Sequence, residues 1–329
     1  MDDLDYLFST ARIRAMEGKL LSAQRLNEMI DARTLDDAER ILSDAGWESP
    51  IFISFDAMEE TISRERAKIY KELNGFVPEK RIIKVFQLPY DYHNLKAIIK
   101  GRAIGKDYAY MLSDAGTIPS EKLNAIIAEK NFSPLSPAMK NAVSEAIETL
   151  NRTGDPFYSD TVLDRACYSE MMSIAKATES DFLKKYIALK IDTINLLTAV
   201  RIKKRGMNYE FIRQSFIEGG NLGLNKLLTE LSPDTLETLF AKSDLLSAAR
   251  IAGKVIKGDE KLAALDKACD DCLMEYLHSA KYIGLGEQPL IGYIGAKETE
   301  LTDVKIVFGG KLVQENPEIT KRRLRETYV

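Results

Sequence analysis

The sequence predicts an all-α protein built from three related helical modules. Three observations lead there. Helix caps and helical periodicity recur along the whole chain. Alternating strand patterns bounded by Asn-Gly or Asp-Gly turns are absent. Two distinct sequence elements each occur three times, at a spacing of about 100 residues.

In chain order, the first clear helix is "TLDDAERILSDAG". Thr34 stands at its N-cap with Asp37 three residues on, where a side chain can answer the cap. Leu35, Ala38, Ile41 and Leu42 share one face, and Gly46 ends the run. Residues 55–73, 179–204 and 260–282 carry helical periodicity without internal Gly or Pro. "SPAMKNAVSEAIETL" sets Ser136 as a cap and Pro137 at the first helical position, where the missing N–H of proline costs no hydrogen bond. The same device recurs at Ser232-Pro233 and at Asn316-Pro317. One stretch disputes the pattern. "VKIVF", residues 304–308, is β-branched and on local propensity passes for a short strand.

The repeats decide that case. "DYHNLKAIIKGR" (91–102), "DTINLLTAVRIK" (192–203) and "ELTDVKIVFGGK" (300–311) share one pattern. A carboxylate comes first (Asp91, Asp192, Glu300), and three residues on stands Asn94, Asn195 or Asp303. An apolar residue follows at once, and a base (Arg102, Lys203, Lys311) comes eleven residues after the carboxylate. A second element recurs in phase with the first. "LLSAQRLNEMI" (20–30), "TIPSEKLNAII" (117–127) and "NLGLNKLLTEL" (221–231) each carry a base followed by leucine: Arg25-Leu26, Lys122-Leu123, Lys226-Leu227. Agreement between two independent elements argues for triplication, in units of ordinary domain size. "VKIVF" then occupies the place of "LKAIIK" and becomes helical. Boundaries fall near the glycine-containing stretches 105–120 and 219–223, giving modules 1–115, 116–220 and 221–329.

Composition narrows the function. The chain of 329 residues is 45% apolar and 29% charged, with a net charge of −4, so it has ample core material and no global basic field for nucleic acid. The opening "MDDLDYLFSTARIRAMEGK" is acidic, unlike a secretory or mitochondrial leader. No apolar run approaches the roughly 18 residues a spanning helix requires. Three cysteines, Cys167, Cys269 and Cys272, are too few and odd in number for a disulfide framework and fit a reducing compartment.

Candidate chemistry is sparse. Asp91, His93 and Asn94 together suggest a hydrolase fragment, but nothing local supplies a nucleophile for the histidine. The other copies carry Ile194 and Thr302 at the histidine position, so the carboxylate and the amide-type residue recur while the histidine does not. The plainer reading has Asp91 and Asn94 capping or cross-linking helices. Cys269 and Cys272, with His278 nearby, lack the second ligand pair of a zinc site and fit one core face of a helix. "FGGKL" lacks the leading glycine and the Ser or Thr of a phosphate-binding loop. "GLG" at 284–286 lacks the third glycine and preceding strand of a dinucleotide site. The basic tract "RIKKR" (201–205) reads as a solvated helix end complementing the helix dipole, and "KRRLR" (321–325) as a terminal segment free to dock.

Taken over the full length, the chain resembles the family of C subunits of the archaeal and bacterial V/A-type rotary ATPases, whose eukaryotic counterpart is the d subunit of the V-ATPase. "YLFSTARIRAMEGKLLS" is similar to that family's opening, with Arg12, Arg14 and a Leu-Leu-Ser helix start. "PYDYHNLKAIIKGR" looks like its Asp-x-x-Asn-Leu helix, and "EQPLIGYIGAKETELTDVKIVFGGKL" with "RRLRETYV" looks like its C-terminal signature. The resemblance implies three similar modules about a pseudo-threefold axis, forming a funnel with no catalytic, cofactor-binding or metal-binding residue. It implies a monomer within a hetero-complex on the cytoplasmic side of a membrane, between central-stalk axle subunits and the proteolipid rotor ring. Under this resemblance Asp91, Asn94, Arg102, Asp192, Asn195, Lys203, Glu300, Asp303 and Lys311 are expected to hold the socket helices in register, with a central cavity as one direction to face. Arg12, Arg14, Arg322 and Arg325 are the expected partner contacts. A free helical scaffold binding a helical partner is the alternative, and a thiol or zinc enzyme on Cys269 and Cys272 a third reading.

Overall fold

The computed structural model of the chain describes residues 3–206, 214–223, 227 and 232–329. Every regular element among them is helical, as the capping signals predict. In order the α-helices are α1 (Leu7–Glu17), α2 (Ala23–Asp31), α3 (Leu35–Asp44), α4 (Phe55–Phe76), α5 (Lys80–Ile104), α6 (Ser120–Glu129) and α7 (Pro137–Thr153). There follow α8 (Pro156–Ala177), α9 (Asp181–Lys204), α10 (Pro233–Leu239), α11 (Leu246–Lys257), α12 (Leu262–His278), α13 (Gln288–Leu312) and α14 (Pro317–Arg323). The expected caps form. Thr34 accepts the Asp37 N–H at 3.1 Å and donates to the Asp37 carboxylate at 2.7 Å, and Ser136 accepts the Met139 N–H at 3.2 Å.

Contacts divide the chain into two compact units, Met1–Glu79 with Leu236–Val329, and Lys80–Thr235. In the first, α13 is the central element, packed by α1, α2, α4, α12 and α14. A helix enclosed on so many sides needs apolar residues all round, which is why its sequence loses amphipathic periodicity. This explains "VKIVF". Val304, Ile306, Val307 and Phe308 are buried within α13, and the Phe308 ring stacks on Phe52 at 3.7 Å. Local composition suggests a strand there, and burial from several directions is the physical reason a helix carries it.

In the second unit α5 packs on α6, α7 and α8, and α8 packs on α7 and α9. Lysines on α5 meet acids on α8: Lys96 pairs with Asp164, and Lys100 with Asp160 at 2.9 Å. The Tyr92 hydroxyl donates to Glu170 at 2.9 Å.

Three helices correspond closely. α5, α9 and α13 are 25, 24 and 25 residues long. Asp91 and Asp192 are each the twelfth residue of their helix and Glu300 the thirteenth of its own. The first two copies of the second element lie on α2 and α6, where Leu26 and Leu123 are buried. Of the third copy, Leu227 is buried, while Lys226 and residues 228–231 lie outside the described residues. The module boundaries expected from sequence, after residues 115 and 220, differ from the contact divisions after residues 79 and 235.

Candidate functional site

The recurring pair on each long helix grips a strap of backbone. On α5 the Asp91 carboxylate accepts the Thr117 N–H at 3.0 Å, the Thr117 hydroxyl at 2.6 Å and the Ile118 N–H at 3.1 Å. One turn on, Asn94 holds a single residue twice: its Nδ2 donates to the Ser113 carbonyl at 2.7 Å, and the Ser113 N–H donates to Asn94 Oδ1 at 2.9 Å. Residues three apart share a helix face, so the two side chains grip neighbouring points of one strap.

α9 repeats the arrangement. Asp192 accepts the Asn221 N–H at 2.9 Å, its side-chain Nδ2 at 3.1 Å and the Leu222 N–H at 3.2 Å. Asn195 holds Ile217 through the carbonyl at 2.8 Å and the N–H at 2.9 Å. The approach is close in both clamps. A Cβ on Gly116 would lie 2.2 Å from Asp91 Oδ1, and one on Gly220 would lie 2.1 Å from Asp192 Oδ1. Only glycine lets the strap pass at that distance.

The third clamp reaches across the chain. Glu300 on α13 accepts the Leu21 N–H at 2.7 Å, 279 residues away in sequence, and is also bonded by Lys297. Leu21 precedes Leu26 by the same five residues that separate Ile118 from Leu123 and Leu222 from Leu227, so the three captured amides are equivalent. Here Lys19 stands in the place of Gly116 and Gly220. The extra methylene of glutamate lets the carboxylate reach a strap that carries a side chain. Asp303 takes the asparagine's part, its Oδ1 accepting the Arg325 N–H at 2.8 Å from the C-terminal tail.

All six clamp residues are buried. Burial raises the carboxyl pKa of Asp91 and of Asp192, with the strap hydrogen bonds pulling the other way. Asp303 is pushed up to about 7 by burial, against the Arg325 N–H and charge.

The bases at the eleventh place do not join the clamps. Eleven residues of helix separate the two by roughly 16 Å. Arg102 and Lys203 are exposed, and Lys311 Nζ donates to the carbonyls of Ile30 at 3.1 Å and Ala32 at 2.6 Å, closing the end of α2. The arginines differ among themselves. Arg12 pairs with Glu72 at 2.9 Å and lies over the Phe76 ring. Arg14 is engaged with Glu17 and the carbonyls of Ala280, Lys281 and Ile283. Arg325 is held by Asp270 at 2.9 Å, and Arg322 is exposed. His93 is exposed, its Nε2 within 3.0 Å of the Met111 carbonyl. Cys269 and Cys272 are buried on α12, with Ser247 Oγ 3.1 Å from the Cys272 sulfur. "FGGK" lies inside α13, and the "RIKKR" bases lie at the end of α9. Among the described residues no helix is long and apolar enough to cross a membrane, and no group of three or more His, Cys, Asp or Glu is placed to hold a metal ion.

Sequence reading finds the six clamp residues and misses what they hold. The signal was available: Gly116 and Gly220 each precede the second element by the same interval.

Comparison with known proteins finds one family along nearly the whole chain. Residues 9–323 match a family described as "ATP synthase (C/AC39) subunit". The chain is 26% identical over 327 residues to the C subunit of the A-type ATP synthase of Desulfurococcus sp. (strain SY), covering 95% of this chain and 88% of the relative. It is 24% identical over 344 residues to the C subunit of the A-type ATP synthase of Methanocaldococcus jannaschii, covering 97% and 86%. It is 24% identical over 323 residues to the C subunit of the V-type sodium ATPase of Enterococcus hirae, covering 96% and 97%.

Proposed function

The chain belongs to the ATP synthase (C/AC39) subunit family, and from that premise we propose that it is the non-catalytic central-stalk subunit of a V/A-type rotary ATPase, joining the axle to the membrane rotor ring. In this reading it forms a socket on the cytoplasmic side of the membrane, receives the end of the axle, rests on the proteolipid ring, and passes torque between ATP chemistry and ion movement. It works as one copy in a hetero-complex and sits on the membrane peripherally. No residue acts in catalysis, and none binds a cofactor or metal.

The observation that carries the reading is the clamp set. Each clamp fastens a long helix to the start of the next sequence module: residue 91 to 117–118, 192 to 221–222, and 300 back to 21. On this account 1–115, 116–220 and 221–329 are three modules about a pseudo-threefold axis, and the clamps are their joints. A torque adaptor must transmit strain without yielding, and close packing with buried bidentate joints supplies stiffness. Of the expected partner contacts Arg12, Arg14, Arg322 and Arg325, Arg12 and Arg322 are exposed, and Arg102 and Lys203 are exposed near the ends of their socket helices.

Affinity purification of the tagged chain in mild detergent tests the proposal. Stalk and ring subunits should co-purify with it. Recovery of a soluble helical partner with neither stalk nor ring would favour a free scaffold and overturn the rotor reading.

A further inference from the structure

We propose that Asp303 is a proton-binding site whose protonated carboxyl fastens the C-terminal tail, residues 324–329, to α12 and α13. The three clamps differ in what their second side chain can donate. Asn94 and Asn195 each hold one strap residue by two bonds, the amide Nδ2 donating to its carbonyl and Oδ1 accepting from its N–H. Asp303 reproduces one half only: Oδ1 accepts the Arg325 N–H, while Oδ2 is buried without a hydrogen-bond partner. In the sister clamps the second side-chain atom bonds the carbonyl of the same residue that supplies the N–H, which in the third clamp is Arg325, so the proposed bond sets Oδ2 against that carbonyl. A carboxylate there sets two acceptors against each other, whereas a protonated carboxyl has the same shape as asparagine and supplies the missing donor. Burial also disfavours the charged form, which moves the titration towards neutrality.

Other contacts hold the tail beside this one. Arg325 Nε bonds Asp270 at 2.9 Å, the Glu326 N–H donates to Asp271 at 2.8 Å, His278 Nε2 lies 3.0 Å from the Thr327 carbonyl, and Tyr328 is buried. The charged groups around the carboxyl are Glu300, tied to Lys297, on its own helix; Lys267, Asp270, Asp271 and His278 on α12; and Arg325 and Glu326 on the tail. Arg323 on α14 is paired with Glu315. On the remaining side Leu20, Leu21, Leu26, Thr299 and Thr327 line a cavity of about 10 Å³, room for one water at most.

A carboxyl freed with the tail returns to an ordinary pKa of about 3.9, so tail closure takes up a proton between that value and the folded one. The pKa is raised on closure, so the fastening is complete in acid and is lost as pH rises towards 7, levelling above it. Hydrogen exchange on the full chain between pH 5.5 and 8.5, with intrinsic rates divided out, reads this directly. Protection of the Arg325 and Glu326 amides should fall about 30-fold over that range. It should stay flat in Asp303→Asn, whose side chain keeps both bonds at every pH. The fall should persist in His278→Gln, which removes the imidazole that contacts the tail at the Thr327 carbonyl. A flat wild-type profile, as a bound water satisfying an ionised carboxylate would give, overturns the proposal whatever the variants do. A fall retained in Asp303→Asn, or abolished in His278→Gln, overturns it as well.

Discussion

Gly116→Ala places a methyl group 2.2 Å from Asp91 Oδ1 and 3.2 Å from the Asp91 amide nitrogen. Ordinary contact requires more than 3 Å, so either the strap retreats by about 1 Å or the carboxylate turns away. Either response breaks the bonds to the Thr117 and Ile118 amides. Each buried donor left unsatisfied costs about 1–3 kcal/mol, and the strap is only half buried, so water recovers part of this. The expected loss is ~2–3 kcal/mol. Asp91→Ala, which removes the acceptor, should cost a similar amount. The two changes act on one joint, so they should not add. With Asp91 already alanine the carboxylate is gone and the nearest remaining atom is the residue-91 amide nitrogen at 3.2 Å, a contact relieved by a few tenths of an ångström, while alanine lowers the entropy of the unfolded chain by ~0.4–1 kcal/mol relative to glycine. Gly116→Ala should therefore lose most of its cost, from destabilising in the native background to near neutral in Asp91→Ala. Urea denaturation of the four proteins, followed by circular dichroism with m values compared, measures the coupling. Coupling above 2 kcal/mol supports the clamp, and additive effects within 0.5 kcal/mol would refute the reasoning.

Asn195→Asp gives the second clamp the carboxyl of the third. It should lower stability by about 1–3 kcal/mol at pH 8, with recovery as acid protonates the new group, seen as a pH-dependent denaturation midpoint absent from the native chain. Lys311→Met removes the donor to the Ile30 and Ala32 carbonyls. Because burial already lowers the lysine pKa, the net loss should be no more than about 1 kcal/mol, with faster exchange confined to the end of α2. Burial raises the thiol pKa of both Cys167 and Cys272, so alkylation at pH 8 should be slow in the folded chain and reach all three cysteines in denaturant. Rapid modification of native Cys269 or Cys272 would instead favour a thiol chemistry.

Much of the fold is legible because its determinants are local. Thr34, Ser136 and Asn316 announce their helices through side chains that bond backbone within a few residues. "VKIVF" is legible only through its repeats, since burial around α13 comes from helices distant in sequence. The clamps divide in the same way. Asp91, Asn94 and their counterparts are visible as a pattern on helical spacing. Their partners are backbone amides, which carry no residue identity, and one of them lies at Leu21, far from Glu300 in sequence. The recurrence of a base at the eleventh position points the wrong way, because helical rise alone takes Arg102 and Lys203 beyond reach of the carboxylates. Arg14 and Arg325 resemble partner contacts in sequence, yet the folded chain uses both on its own carbonyls and carboxylates.

The most direct test of the rotor assignment is a binding assay with separately purified axle and proteolipid ring. The account predicts that this chain binds each, that axle and ring associate stably only when it is present, and that Gly116→Ala weakens the assembly in proportion to the loosened joint. A chain that binds neither component, or an axle and ring that join equally well without it, would contradict the account.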